Sequence, residues 1–305
     1  MSASNLPRHL VLDGGLATEL AERGFDVSGT LWSARALVEA PELLLDVHAD
    51  YYAAGADVIT TASYQASYGG FAAIGLTEVE CTRLLRRSVT LAQAARDQID
   101  RDHPRARPRL VAASLGPYGA TLNDGSEYRG DYALTEDELV DFHRQRFGVL
   151  ASAGADLMAC ETIPSLLEAR ALLRLLREHP SVRAWVSFTC RDGTHTAAGD
   201  ELTACAALLD AEPQVSAMGV NCVPPHLTAA AIRCMAETTT KPIVAYPNSG
   251  EQWNAVTRAW EGSAESFASM VPTWLDAGAR WIGGCCRTGP VHVQAIRAAM
   301  PAEQR

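Results

Sequence analysis

The stretch Ala54-Gly55-Ala56-Asp57-Val58-Ile59 joins a helical pattern to a short run of apolar residues. Two similar stretches follow later in the chain, Ala153-Gly154-Ala155-Asp156-Leu157-Met158 and Ala277-Gly278-Ala279-Arg280-Trp281-Ile282. In each of them the glycine suits the left-handed end of a helix, and the apolar residues suit a buried strand. The recurring phrase therefore predicts the helix-to-strand joints of an α/β protein.

Apolar segments and helical patterns alternate along the chain on both sides of these joints. Most apolar segments are short and lack polar alternation, as expected of parallel strands covered on both faces. The predicted strands are residues 10–13, 57–61, 109–115, 156–160, 183–188, 215–221, 242–246 and 280–284. The predicted helices are residues 41–54, 77–100, 135–153, 164–179, 201–211, 225–237, 264–277 and 291–300.

Eight strands that alternate with eight helices in 305 residues indicate an α/β fold of the (β/α)8 type, a TIM barrel. We expect residues 1–305 to form a single domain. A doubly wound open sheet is the alternative, but it usually carries a GxGxxG fingerprint after its first strand. The residues found there are Asp13-Gly14-Gly15-Leu16, which lack that pattern and favour the barrel.

The composition is that of an ordinary globular protein, with 48% hydrophobic and 20% charged residues and a formal net charge of −10. No apolar run approaches the roughly 18 residues that span a bilayer, and the polar residues 1–9 do not predict a signal peptide. An acidic chain binds polyanions poorly, so we expect neither a nucleic-acid partner nor a membrane. We expect a cytoplasmic protein, and nothing in the sequence implies an oligomer.

Eight cysteines raise the question of which thiols take part in chemistry. Disulfide frameworks are typical of small secreted chains, so reduced thiols are expected here. Active sites of TIM barrels lie at the carboxyl ends of the strands, and three cysteines fall there, Cys222, Cys285 and Cys286. We expect the other five to be ordinary buried thiols, namely Cys81, Cys160, Cys190, Cys205 and Cys234.

Three thiolates suit zinc, and three protein ligands leave a fourth position open, as in catalytic zinc sites. Neighbours in a regular strand point to opposite faces, so Cys285 and Cys286 can reach one ion only where the chain leaves strand geometry. The preceding Gly283-Gly284 permits this departure. The residues alone leave open two buried structural cysteines or a vicinal disulfide, with Cys222 unrelated to either.

Three separated motifs resemble those of the zinc-dependent homocysteine S-methyltransferases. They are Leu12-Asp13-Gly14-Gly15, Gly219-Val220-Asn221-Cys222 and Gly283-Gly284-Cys285-Cys286-Arg287-Thr288. The resemblance extends from about residue 10 to residue 301 and includes blocks at residues 56–65, 161–164 and 246–251. Residues 125–132 resemble a block of the short subgroup that uses S-methylmethionine or S-adenosylmethionine. The resemblance implies a TIM barrel with zinc held by the three cysteines, without folate or cobalamin.

The implied reaction moves a methyl group from a sulfonium donor to the zinc-bound thiolate of homocysteine and gives methionine. The amino-acid end of homocysteine needs its own partners, and we expect Asp13 and Glu161 to bind its ammonium group. The backbone amides of Gly14 and Gly15 would bind its carboxylate. Asn221 stands beside a ligand and is either a substrate contact or a support.

The methyl donor is a cation, so aromatic faces and a carboxylate should surround it. The candidates are Tyr64, Tyr246 and Glu127, with Tyr128 and Trp32 nearby in the predicted strand-end loops.

Other reactions on the same barrel remain as alternatives. The donor could be betaine, and the acceptor could be selenocysteine or selenohomocysteine. A zinc hydrolase is a further enzyme class, but three thiolates make a zinc-bound water less acidic than histidine ligands do. A zinc or thiol sensor without catalytic activity is the third class.

Overall fold

An eight-stranded parallel sheet forms the centre of the computed structural model, which describes residues 6–29, 31–105, 107–254, 259–261 and 267–301. Its strands are β1 Leu10–Val11, β2 Val58–Thr60, β3 Leu110–Leu115, β4 Leu157–Ile163, β5 Ala184–Phe188, β6 Val215–Asn221, β7 Ile243–Tyr246 and β10 Ala279–Ile282. Two further strands, β8 Gln252–Asn254 and β9 Ala259–Glu261, form a separate antiparallel pair.

Helices follow the strands around the sheet, and all eight predicted helices are present. The helices are α1 Leu16–Glu22, α2 Ala36–Glu39, α3 Pro41–Ala53, α4 Tyr68–Ala73, α5 Glu78–Asp102, α6 Glu136–Ala151, α7 Leu166–Glu178, α8 Leu202–Asp210, α9 Pro225–Ala236, α10 Phe267–Ala277 and α11 Pro290–Ala299. The short α1, α2 and α4 were not predicted. Among the described residues, no helix combines the length and the apolar character needed to cross a bilayer.

The sheet closes on itself between its first two strands. The strand order is β1-β10-β7-β6-β5-β4-β3-β2, and a single parallel bridge, Leu12 to Val58, joins the two ends. Asp57 reinforces this seam, because its N–H donates to the Val11 carbonyl at 2.7 Å and its carboxylate accepts from the Val11 N–H at 2.9 Å. The topology confirms the (β/α)8 barrel.

The three glycine joints adopt the predicted conformation. Gly55, Gly154 and Gly278 have φ angles of 110°, 87° and 120°, in the left-handed region that favours glycine. Several predicted boundaries were wrong by one to three residues, including the ends of β1 and β10. The largest difference among the strands is in β4, which continues to Ile163 through a register shift against β5, so that α7 begins later than expected. Glu161 therefore lies within the strand and not in the loop after it.

Large apolar side chains fill the interior of the barrel below its carboxyl-terminal end. The rings of Trp185 and Trp281 meet edge to face at 6.1 Å, and Tyr246 meets Trp185 at 6.4 Å. A second and larger apolar layer lies between the sheet and the helices. This filling leaves space at one end of the barrel, where the strand-end residues gather.

Candidate active site

A cavity of about 480 Å³ opens at the carboxyl ends of the strands. All the site residues predicted from the sequence line it: Asp13, Gly14, Gly15, Tyr64, Glu127, Glu161, Asn221, Cys222, Tyr246, Cys285 and Cys286. Trp32 and Tyr128 line it as well. The barrel thus brings together side chains that are far apart in the sequence.

Three cysteine thiols meet on one wall of this cavity. The Sγ atoms of Cys222, Cys285 and Cys286 all lie within 4.8 Å of one another, and those of Cys222 and Cys286 are 3.5 Å apart. Cys222 follows the end of β6 with a φ of 53°, a conformation that costs energy for a residue other than glycine. Cys285 and Cys286 lie beyond the end of β10, so the chain leaves strand geometry before them, as expected.

Glycines around this turn are needed because the backbone segments approach each other closely. A Cβ atom at Gly284 would lie 2.2 Å from Thr288 Oγ1, and one at Gly283 would lie 2.6 Å from Leu12 Cβ. A Cβ atom at Gly15 would lie 2.6 Å from the Cys285 carbonyl oxygen. The turn that carries Cys285 and Cys286, here called the cysteine turn, packs against the loop after β1. This packing is possible because Gly15, Gly283 and Gly284 have no side chain, and not because they adopt unusual backbone angles.

Gly15→Ala should therefore displace the cysteine turn. The added methyl group collides with a backbone oxygen, and overpacking of this kind costs about 1–3 kcal/mol. We expect a lower melting temperature and weaker zinc retention in a chelator competition. Gly69→Ala in α4 is the matched control, because nothing lies within 4 Å of its Cβ position. Equal zinc retention in both variants would contradict this packing argument.

The donor set fits zinc. Zn–S bonds of about 2.3 Å in a tetrahedral site place sulfur atoms about 3.8 Å apart, close to the spacing found here. Thiol hydrogen bonds from Cys285 and Cys286 hold the pKa of Cys222 well below its usual value, so one thiolate forms readily. All eight cysteines are free thiols, and soft sulfur ligands select zinc over hard cations.

Two buried carboxyl groups face the same cavity. Asp13 Oδ2 accepts hydrogen bonds from the Thr60 N–H at 2.7 Å and the Thr60 hydroxyl at 3.0 Å. Glu161 Oε1 accepts a hydrogen bond from the Ser114 hydroxyl. Burial raises the pKa of Asp13 to about 8, to which the charge of Glu161 contributes, and burial raises the pKa of Glu161 to about 7. A cation bound here would lower both pKa values.

The two glycines after β1 are not equivalent. The Gly15 N–H donates to the Thr288 carbonyl at 2.9 Å and to the Thr288 hydroxyl at 3.2 Å. The expectation that Gly15 offers its amide to a substrate carboxylate is therefore wrong, because that amide already has partners. Gly14 lines the cavity beside it, and a Cβ atom there would lie 2.8 Å from the Thr288 carbonyl oxygen.

Asn221 and Tyr246 act as supports for other groups of the site. The amide of Asn221 accepts from the Thr162 N–H at 2.7 Å, donates to the Thr162 hydroxyl at 2.7 Å, and lies 4.0 Å from Cys285 Sγ. The Tyr246 hydroxyl bonds to Ser187 at 2.6 Å and accepts from the indole of Trp185 at 2.9 Å. Of the two roles left open for Asn221, the structure favours support.

Aromatic rings and one further carboxyl group form another wall of the cavity. The rings of Trp32 and Tyr64 are 6.2 Å apart, and the Tyr128 hydroxyl lies 3.2 Å from Cys222 Sγ. Burial raises the pKa of Glu127 to about 7, and its Oε2 atom meets no hydrogen-bonding group among the described residues. This wall has the character of a subsite for a cation.

Sequence reasoning gave no role to three polar residues that hold the site in place. Ser114 bonds to Glu161, Asn248 Oδ1 accepts from the Cys286 N–H at 3.1 Å, and the Thr288 hydroxyl donates to the Cys285 carbonyl at 2.7 Å. A lone serine within the apolar strand β3 was the available signal for the first. The Asn248 contact joins two loops that are distant in sequence, which no local pattern reveals, whereas the Thr288 contact lies within a single turn.

The remaining cysteines lie away from the metal-ligand cluster. Cys81, Cys160, Cys190 and Cys205 are buried, whereas Cys234 is only half-buried, contrary to the expectation for it. Burial raises the pKa of all five thiols. They are therefore held as neutral thiols, in contrast to Cys222.

The chain is similar in sequence and in fold to known methyltransferases. A model of the homocysteine S-methyltransferase family matches residues 10–300. Homocysteine S-methyltransferase YbgG of Bacillus subtilis is 50% identical over 95% of this chain and 93% of its own length. A selenocysteine Se-methyltransferase of Brassica oleracea is 45% identical over 94% of this chain and 88% of its own length. The metallated crystal structure of the homocysteine methyltransferase MmuM from Escherichia coli superposes with a TM-score of 0.89, at 46% identity, covering 97% of this chain and 98% of that one.

Proposed function

Since the chain belongs to the homocysteine S-methyltransferase family, we propose that it moves a methyl group from a sulfonium donor to the thiol of homocysteine and forms methionine. The observation that carries this proposal is the meeting of three thiols, two buried carboxyl groups and an aromatic wall in one cavity. Each of the three groups suits a different part of the two substrates.

Cys222, Cys285 and Cys286 are the residues that would hold zinc. Zinc bound by three thiolates would lower the pKa of a substrate thiol at its fourth position and keep electron density on that sulfur. The chain contributes the fixed sulfur geometry, which Asn221 and Asn248 support through contacts with Cys285 and Cys286. A zinc ion held by this thiolate set would favour a sulfur acceptor over water.

Asp13 and Glu161 would bind the ammonium group of homocysteine. Their raised pKa values reflect buried carboxyl groups without a cation, and an ammonium group restores the balance of charge. Thr60 and Ser114 fix the two carboxylates in place, so the clamp is preorganised. This contact orients the acceptor sulfur toward the cysteine wall and the donor subsite.

Trp32, Tyr64, Tyr128 and Glu127 would surround the sulfonium donor. Aromatic faces attract cations, and the buried carboxylate of Glu127 adds an opposite charge. The leaving group of methyl transfer from a sulfonium is a neutral thioether, which needs no general acid. The residues of this chain therefore act by aligning donor and acceptor for in-line displacement and by excluding water.

The test is a methyl-transfer assay on zinc-loaded protein with homocysteine and one donor at a time. S-methylmethionine, S-adenosylmethionine and betaine are compared, with an ester and amide panel as the check for hydrolysis. We expect methionine from a sulfonium donor and no hydrolysis. Methionine from none of the three donors would refute the proposal, and zinc binding without any methyl transfer would indicate a sensor.

Selenocysteine is a second candidate acceptor, because a relative at 45% identity is named a selenocysteine Se-methyltransferase. A selenolate is a soft ligand that suits the same thiolate site. Competition between homocysteine and selenocysteine in the assay gives their ratio of kcat/KM. A ratio that favours selenocysteine would make the selenol the principal acceptor.

Glu127→Gln should weaken donor use selectively. The variant keeps the shape of the side chain but removes the charge that faces a cationic donor, and we expect the donor KM to rise about tenfold with homocysteine KM unchanged. Glu178→Gln, at an exposed position of α7, is the control. An unchanged donor KM in Glu127→Gln would remove this residue from the donor subsite.

We also place the protein in the cytoplasm. Eight free thiols and a metal site made of three of them require a reducing compartment. Oxidation of Cys222 and Cys286, whose sulfur atoms are 3.5 Å apart, would remove two ligands at once.

A further inference from the structure

Glu168 is fully buried near the start of α7, where a glutamate usually stays at the surface and caps the helix. Glu80 and Glu138 hold the same position in α5 and α6. Glu80 is half-buried and Glu138 is exposed, and both bond back to the first residue of their own capping boxes. The Glu168 carboxylate instead bonds to groups from other segments. This departure from the local rule points to a role beyond the helix.

Two partners of Glu168 belong to the loop of residues 116–134, which follows β3. Its Oε1 accepts from the Tyr118 N–H at 2.6 Å, and its Oε2 accepts from the Tyr132 hydroxyl. The rings of Tyr118 and Tyr132 also meet each other, with centroids 5.0 Å apart. One carboxylate thus binds both ends of this loop.

The third partner, His143 in α6, connects Glu168 to Arg146. His143 Nε2 lies 2.8 Å from Glu168 Oε1, and His143 Nδ1 lies 3.4 Å from an Arg146 nitrogen. A guanidinium group only donates, so Nδ1 accepts, and the ring proton sits on Nε2 and is donated to Glu168. Burial lowers the pKa of His143, in agreement with this neutral form.

Arg146 is 2% exposed and binds the backbone of both strand-end loops. It donates to the carbonyls of Tyr64 at 3.4 Å and Ala66 at 3.3 Å in the loop after β2. It also donates to the carbonyl of Gly116, where the loop after β3 begins. A Cβ atom at Gly116 would lie 2.6 Å from the Tyr64 carbonyl oxygen, so the two loops are in tight contact there.

These two loops carry the aromatic wall and the carboxylate of the donor subsite, Tyr64 on one and Glu127 with Tyr128 on the other. Glu168, His143 and Arg146 lie behind that wall. Among the described residues, they are not part of the cavity lining. They are buried charged and polar groups for which the proposed reaction has no direct use.

We propose that Glu168, His143 and Arg146 form a positioning cluster that holds both loops and so sets the shape of the donor subsite. The assignment of these loops to the donor rests on the proposed function. None of the three cluster residues hydrogen-bonds directly to the three cysteines or to Asp13 and Glu161, and the contact of the Tyr128 hydroxyl with Cys222 Sγ at 3.2 Å links the loop after β3 to the cysteines. Donor binding therefore depends on it, and homocysteine binding does not.

Glu168→Gln is the informative change, because it keeps the shape and reverses one hydrogen bond. The amide oxygen can still accept from the Tyr118 N–H and the His143 Nε2–H, so the new amide nitrogen must donate to the Tyr132 hydroxyl, which loses its role as a donor. The negative charge that stabilises the buried Arg146 guanidinium is also lost. Glu138→Gln is the matched control, the same change at the same helix position with no contact to either loop.

We expect donor KM to rise about tenfold in Glu168→Gln, with homocysteine KM and zinc content within about twofold of the original protein. Amide hydrogen exchange should accelerate across residues 116–134 in this variant and not in Glu138→Gln. If Glu168→Gln fails to fold, Tyr132→Phe removes only the loop hydroxyl and should show the same pattern more weakly.

An equal rise in both KM values, or unchanged exchange of residues 116–134, would overturn the positioning role. Failure of the proposed function itself is seen separately, as the absence of methyl transfer in the unaltered protein. In that case the exchange experiment alone decides whether the cluster holds the loops.

Discussion

Cys222→Ala, Cys285→Ala and Cys286→Ala are each expected to lose zinc and methyl transfer together. Loss of a supporting contact to a metal ligand already costs about 10–100-fold, and the loss of a ligand should exceed this. We expect less than about a tenth of an equivalent of zinc by elemental analysis and at least a hundredfold fall in activity. With two sulfur atoms left, the site cannot hold zinc while keeping a position for substrate.

Cys205→Ala is the control for these variants. Its thiol is fully buried on α8, away from the cavity, and burial raises its pKa to about 12, so it remains protonated. It should lose some stability and keep full zinc content and activity. Full activity in any of the three ligand variants would refute the assignment of the metal site.

Asp13→Asn should weaken binding of the amino-acid end of homocysteine by about 10–100-fold, as expected for a lost charged hydrogen bond. L-norleucine isolates this effect, because it carries the ammonium and carboxylate groups but no sulfur to reach a metal. The asparagine oxygen still accepts from Thr60, so the strand end keeps its shape. Calorimetric titration gives the affinity, and Asp46→Asn, an exposed position on α3, is the control.

The pH dependence of this binding follows from the raised pKa values of Asp13, about 8, and Glu161, about 7. Below these values the free protein holds protons that an ammonium group must displace, so affinity rises with pH. We expect norleucine affinity to increase about 50-fold from pH 6 to 7, where both groups lose protons, and about tenfold from pH 7 to 8, and to level off above pH 8.

Asp13→Asn should leave a single transition near pH 7, that of Glu161. Without ligand, the same raised pKa values have the opposite effect on folding. The folded chain holds more protons than the unfolded chain between about pH 4 and 8, so its stability falls as pH rises through that range. Norleucine affinity that is constant from pH 6 to 8 would contradict the clamp.

The barrel and the meeting of Cys222, Cys285 and Cys286 could be predicted because they depend on periodicity and on strand ends. A run of apolar residues predicts a buried parallel strand. The barrel fold then places the residue after that strand at the carboxyl-terminal rim. Cys222 follows β6 directly, and Cys285 and Cys286 follow β10 after two glycines. Local rules and topology are sufficient for such residues.

The supporting residues could not be predicted, since their contacts join segments that are distant in sequence. The Gly15 N–H donates to the Thr288 carbonyl, although the sequence suggested that this amide was free to bind substrate. Glu168 looks like a helix cap from its neighbours and becomes a loop anchor only through Tyr118 and Tyr132. Only the folded chain shows which hydrogen-bonding groups are already used.

The position of β10 in the sheet has a consequence for the order in which the molecule is completed. β10 lies between β1 and β7, although it is the last strand of the chain, and Cys285 and Cys286 follow it. During synthesis the barrel stays open at this gap, and Cys222 is a lone thiol until the final strand inserts. Under the proposed zinc assignment, metal capture therefore marks a finished barrel, and a chain cut before β10 would carry one of the three cysteines and leave β1 and β7 each with an unpaired edge.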